Sequence, residues 1–155
     1  MDKLPPMPTI FEALRADHDI QRALADELLE TTGASGERRE SFAKLVTELK
    51  AHATSEERHF YVPLMQEDLT QEKARHSVAE HHDMDELIEK LESYDLGASQ
   101  WLVTYRELHH TVHHHLDEEE LEVFQLAGKA MSAAAKTSLA GDYEREMHRQ
   151  RAAFA

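Results

Sequence analysis

Two stretches of this chain carry the same pair of chemistry-bearing residues at the same spacing: His52-x-x-x-Glu56 and His115-x-x-x-Glu119. Four residues is about one helical turn, so imidazole and carboxylate project from one side of a helix and can reach a common cation. The second pair sits in HHTVHHHLDEEE (109–120), which holds five histidines and four acids. Helix geometry sorts them, because successive residues turn by about 100°. His115 shares a face with Leu108, Val112, Glu119 and Leu126, whereas His109, His110 and His113 point well off it. His114 lies one residue's rotation away, so a slip to His114 with Glu118 keeps the spacing and stays open.

The chain also repeats itself at an offset of 63 residues. His18 falls on His81, His52 on His115 and Glu56 on Glu119. The apolar frame agrees, with Leu24 on Leu87, Leu28 on Leu91, Leu45 on Leu108 and Leu49 on Val112, and Glu57 falls on Glu120. Two helix hairpins related by an approximate two-fold axis would bring His18, His52, Glu56, His81, His115 and Glu119 into one core. Buried there without partners, these groups would cost several kcal/mol for each unsatisfied ion. A pair of divalent cations removes that cost, since a carboxylate can bridge two metals about 3.5–4 Å apart. With no cysteine in the chain, the donors are imidazole and carboxylate, which suit iron, manganese or zinc. His82 competes with His81 for the third-helix position. His59, seven residues after His52, is expected to line the end of the bundle, with an extra ligand or supporting group as the alternative, and Glu57 and Glu120 are expected behind the ligands or at the surface. Phe60, Tyr61, Phe124 and Trp101 are expected to pack around the site and exclude water, with Tyr61 a candidate donor to a metal-bound group. The remaining histidines, His76, His109, His110, His113 and His148, read as solvated helix faces.

Positioning these residues takes four long helices, and the breakers fall accordingly. Thr9, after Pro5, Pro6 and Pro8, is placed to cap a helix over about 9–32. Gly33 and Gly36 separate it from a second over about 37–66. Thr70 is placed to cap a third, about 70–94, and Ser99, after Gly97, a fourth, about 99–127. A short helix with fraying ends is expected within 129–155. The fold expected is an all-α, up-down-up-down four-helix bundle over about 9–128 with a short C-terminal helical extension, as a single domain over 1–155.

The net charge of −14 opposes a nucleic-acid or anionic-membrane partner, both of which call for basic patches. No apolar run approaches the roughly 18–20 residues of a membrane span. The opening MDKLPPMPTIFEAL lacks the basic and apolar regions of a secretory signal, so a cytoplasmic protein is expected. Absence of cysteine excludes disulfide scaffolds and thiolate nucleophiles, and no G-x-S-x-G hydrolase motif is present. The oligomeric state is open.

Over LRADHDIQRAL (14–24), HATSEERHFY (52–61), EHHDMDELIEKL (80–91) and HHLDEEELEVF (114–124), the chain resembles the hemerythrin-like, or HHE cation-binding, family. The resemblance implies a four-helix bundle around a non-haem, carboxylate-bridged pair of iron ions, with manganese or zinc as substitutes. It places the ligands on His18, His52, Glu56, His81, His115 and Glu119. Oxygen-carrying hemerythrin has a second histidine one turn after its third-helix ligand, where this chain has Asp85. Its fourth-helix acid follows the histidine by five residues rather than four. These departures weigh against reversible oxygen carriage and leave iron binding as the expectation. The function expected is binding or reduction of a small oxidant (O2, NO or peroxide) in oxygen, nitrosative or oxidative stress sensing or handling. Two other readings compete: a ferritin-like site using Glu56-x-x-His59 and Glu107-x-x-His110, and a metal-free or zinc-bound helical interaction module with pH-sensitive histidines.

Overall fold

The computed structural model describes residues 7–154. Helix α1 (Ile10–Leu29) begins at Thr9, whose hydroxyl accepts from the Glu12 N–H while the Glu12 carboxylate accepts from the Thr9 N–H. The chain then reverses at Gly33, whose φ of 58° is left-handed and favours glycine. Ser35 caps α2 (Gly36–Glu56) by accepting from the Arg38 N–H. Helix α2 continues through one π turn, Glu57–Tyr61, and a last α turn, Val62–Met65. Helix α3 spans Gln71–Ser93 and α4 Ser99–Glu118. Helix α4 runs on through a second π turn, Glu119–Val123, into Phe124–Ala130. The four helices form the expected up-down-up-down bundle. Two of the expected caps act differently. The Thr70 hydroxyl donates to the Leu64 carbonyl, and α4 is preceded by Ala98, with Ser99 as its first residue.

The bundle has apolar matter at both ends and a polar belt between. One end packs Ile10, Leu14, Phe60, Tyr61, Leu64 and Phe124. The other packs Leu28, Leu45, Leu87, Leu91, Trp101, Tyr105 and Leu108. Trp101 belongs to this second end, beside Phe42 and under the Arg38 guanidinium. On its helix it stands 14 residues, about 21 Å, from His115, so it packs the far end of the bundle rather than the polar belt.

The C-terminal extension is one helix, α5 (Ala133–Phe154), of 22 residues. It is longer than expected and is packed rather than frayed. Ala140, Tyr143, Glu146 and Met147, at helical spacing, are buried against α1 and α2. No helix among the described residues is long and apolar enough to cross a membrane.

Candidate metal centre

The polar belt is built from all four bundle helices. α1 supplies His18, α2 His52 and Glu56, α3 His81, and α4 His115 with Glu119, where its second π turn begins; each is 3% exposed or less. The i,i+4 spacing holds each fourth-residue acid against its own histidine, with His52 Nε2 3.3 Å from Glu56 and His115 Nε2 3.3 Å from Glu119. The other contacts cross between helices. His18 Nε2 lies 3.8 Å from Glu56 and 3.6 Å from Glu119, and His81 Nε2 lies 3.2 Å from Glu56. Four Nε2 atoms thus converge on two carboxylates. Donor atoms of His18, His52 and Glu56 lie within 4.8 Å of one another, as do those of Glu56, His81, His115 and Glu119. Two three- or four-donor groups share one carboxylate, which is the arrangement a dinuclear centre needs.

The opposite edge of each ring is tied down. His18 Nδ1 meets Glu120 at 2.7 Å and His81 Nδ1 meets Glu57 at 3.2 Å. His115 Nδ1 meets Glu80 at 2.9 Å, and His52 Nδ1 meets the Tyr143 hydroxyl at 2.7 Å. Tyr143 donates onward to Asp17 at 2.6 Å, so its oxygen accepts from the His52 Nδ1–H. Outer partners of this kind fix the tautomer with its proton on Nδ1 and turn the Nε2 lone pair inward.

The inner atoms lack partners to match. His18 Nε2, His52 Nε2, both oxygens of Glu56 and Glu119 Oε1 are buried with no hydrogen bond. His81 Nε2 and His115 Nε2 face each other at 3.1 Å, a separation at which two lone pairs repel. Buried polar atoms are nearly always paired, and unpartnered atoms on four of the six residues, beside opposed imidazoles on the other two, fit a group that accepts lone pairs, namely a metal ion.

Electrostatics agrees with that chemistry. Burial alone would lower the His18 pKa, but the hydrogen bond to Glu120 and the nearby charges of Glu56 and Glu119 raise it to about 9. Burial likewise opposes, and Glu119 and Glu80 outweigh it, at His115, raised to about 10. Glu119 is pushed up, first by burial and then by the Glu56 charge, while Glu56 is held down against its burial by His52. The pocket wants positive charge: protons on the imidazoles, or cations in their place.

The π turns account for the residues past the acids. Each inserts one residue, with Val62 N–H reaching Glu57 C=O and Phe124 N–H reaching Glu119 C=O. Tyr61 and Phe124, five residues after Glu56 and Glu119, are thereby brought inward and buried. The Tyr61 hydroxyl donates to Glu119. His18 stacks on Phe124 with ring centroids 5.9 Å apart. The same turn swings His59 out of the stripe, and it pairs at 3.3 Å with Glu146 of α5 instead of entering the site.

The competing positions lie outside. His82 and His114 have side chains 73% and 61% exposed, and Glu118 pairs outward with His114 at 3.0 Å. Glu107 and His110 are exposed, so a ferritin-like pair there faces away from the core. His109 and His113 converge on Asp26 at 2.7 and 2.9 Å on the outer surface. Asp17, Glu80 and Tyr143 are the contributors that reasoning from sequence missed. The first two carried a signal: each directly precedes a first-helix or third-helix histidine, and they match at the 63-residue offset. Tyr143 lies outside the repeat and carried none.

A small cavity touches the cluster on its imidazole side, bounded by His52, His81 and His115 with Gln21, Leu49 and Met84. The space open to the centre of a water-sized sphere is about 10 Å³, the scale of a single water molecule.

Comparison with known proteins agrees with this architecture. The family model described as Hemerythrin HHE cation binding domain matches residues 9–127. Among solved structures, a hemerythrin HHE cation binding domain-containing protein from Mycobacterium kansasii matches with a TM-score of 0.86. The match covers 95% of this chain and 90% of that one at 20% identity, so the likeness is one of fold. No curated protein matches the sequence.

Proposed function

The chain belongs to the hemerythrin HHE cation-binding family, and from that premise we propose that it holds two iron ions and uses them to bind or reduce a small oxidant. His18 and His52 would hold one ion and His81 and His115 the other, with Glu56 and Glu119 supplying carboxylates to the pair. The observation that carries this reading is the set of inward Nε2 and carboxylate atoms left without partners beside a cavity of molecular size. Imidazole and carboxylate donors also accept manganese or zinc. Iron is favoured because the donor pattern resembles the hemerythrin-like one and a ligand-sized space adjoins it. When bound, the iron pair supplies electrons and an open position for O2, NO or a peroxide.

The chain's own residues do the rest. Glu120, Glu57, Glu80 and Tyr143 hold the four rings in one tautomer and orientation. The Tyr61 hydroxyl fixes one oxygen of Glu119. Phe60, Tyr61 and Phe124, all buried, close one end of the site to bulk water, and Leu49, Ile88 and Met84 wall the cavity. A ligand admitted there is small by exclusion and shielded from solvent.

Elemental analysis with an absorption spectrum of one purified sample tests the reading. The expected result is about two irons per chain with near-UV absorption typical of an oxo bridge in the oxidised protein. Protein expressed in iron-replete medium that carries no iron and no such band overturns it.

A further inference from the structure

Among the described residues, Gln21 is the one buried polar residue lining the cavity that the metal-binding arrangement does not use. It lies three residues after His18, almost one turn along α1, and is 2% exposed. Its Nε2 has no hydrogen-bond partner. The other orphaned nitrogens and oxygens belong to His18, His52, Glu56 and Glu119, apart from Ser41 Oγ and Trp101 Nε1, whose residues do not line this cavity. At the 63-residue offset the counterpart of Gln21 is Met84, which lines the same cavity. One wall therefore offers an amide N–H and the wall related to it by the repeat offers a thioether.

The ring edges add no competing donor. All four Nδ1 atoms are engaged on the outer side, and the Nε2 atoms face the cluster. Asp85, at the exposed rim of the cavity, contributes a carboxylate and no N–H. We propose that the Gln21 amide donates a hydrogen bond to the free end of a small ligand in this cavity, selecting ligands that carry a hydrogen-bond acceptor there over apolar diatomics. This rests on the dinuclear reading above and names the ligand chemistry it favours: a small anion or a reduced oxygen species with an acceptor atom at its free end.

Methionine is the test substitution, because the bundle already accommodates it at position 84. In iron-loaded ferric protein, Gln21→Met is expected to keep the wild-type iron content and to bind azide at least about tenfold more weakly, the usual scale for losing a hydrogen bond to a charged group. A second measurement needs no variant: the infrared band of bound azide in wild type should move on transfer to D2O, as an exchangeable donor requires. Unchanged azide affinity in an iron-replete Gln21→Met protein overturns the proposal, and so does a wild-type azide band indifferent to D2O. Wild type that takes up no iron overturns the parent reading instead, which the iron content of the same samples reveals.

Discussion

The two hairpins of the bundle place the same histidines and acids and support them differently. In the α3–α4 half, Glu80 reaches His115 directly at 2.9 Å. In the α1–α2 half the equivalent residue is Asp17, one methylene shorter, and the Tyr143 hydroxyl stands between it and His52. The inserted tyrosine comes from α5, which packs on the first hairpin. Asp17 then meets Arg151 at 2.8 Å, and Arg151 also holds Glu48 at 2.7 Å. The other outer contacts keep the symmetry: Glu57 on His81 matches Glu120 on His18. The inner rings keep it too, with His18–His52 centroids at 5.1 Å and His81–His115 at 4.8 Å. A duplicated ligand set thus stays symmetric where it would touch metal, while its outer support is free to diverge.

The strongest way to break this comparison is to remove one inner ligand from each half. If the proposed two-ion centre forms, His52→Ala and His115→Ala should each lower metal content from about two ions per chain to one or fewer, because each would strip a donor from a different ion. Elemental analysis of both variants checks it. If one variant keeps full metal while the other loses it, the halves are not equivalent at the inner layer.

A smaller effect separates the outer supports. Loss of such a partner typically costs about 10–100-fold in metal affinity. Glu80→Gln removes a charge and should fall toward the upper end. Tyr143→Phe removes a neutral link and should fall toward the lower end. Competition with a coloured chelator reads both. Equal losses would mean that the tyrosine transmits the full influence of Asp17, and no loss in Tyr143→Phe would mean that the α5 contact is irrelevant to the site.

How far the sequence revealed this depends on which layer is asked for. The bundle and the inner six residues were legible because burial imposes a period, and two copies of the period 63 residues apart cross-check each other. His115 could be favoured over its four neighbours in the run because only one position falls on the apolar stripe. His59 leaves the stripe on which a constant 100° step puts it, because that step does not foresee the π turn at Glu57–Tyr61, whose extra residue shifts the rotation of the helix beyond it. Tyr143 was invisible because its role depends on where α5 docks, and the Ala-rich start of that helix carries little pattern. The pairing of Asp17 with Glu80 stood in the repeat, but their reach to the rings depends on side-chain length and an intervening residue.

The smallest effect concerns the clasp that holds α5 against the first hairpin. Glu146, 4% exposed, is held down to a pKa of about 2 by the Gln150 amide first and, against its burial, by Arg58, Arg149 and His59. Its folded pKa lies below its ordinary value of 4.5, so the stability it adds is present above about pH 4.5 and is lost as pH falls toward 2. Acid should therefore loosen the α5 side of the molecule through a group that has no counterpart on the α3–α4 side. Denaturation midpoints at pH 5.5 and pH 3 measure the loss in wild type, to which other depressed acids such as Glu120 also contribute. Glu146→Gln cannot titrate, so the variant should be less stable than wild type at pH 5.5 and should close part of that gap at pH 3. A gap that stays constant across this range would mean that Glu146 clasps α5 by packing alone, and that the asymmetry between the two halves is not electrostatic at this contact.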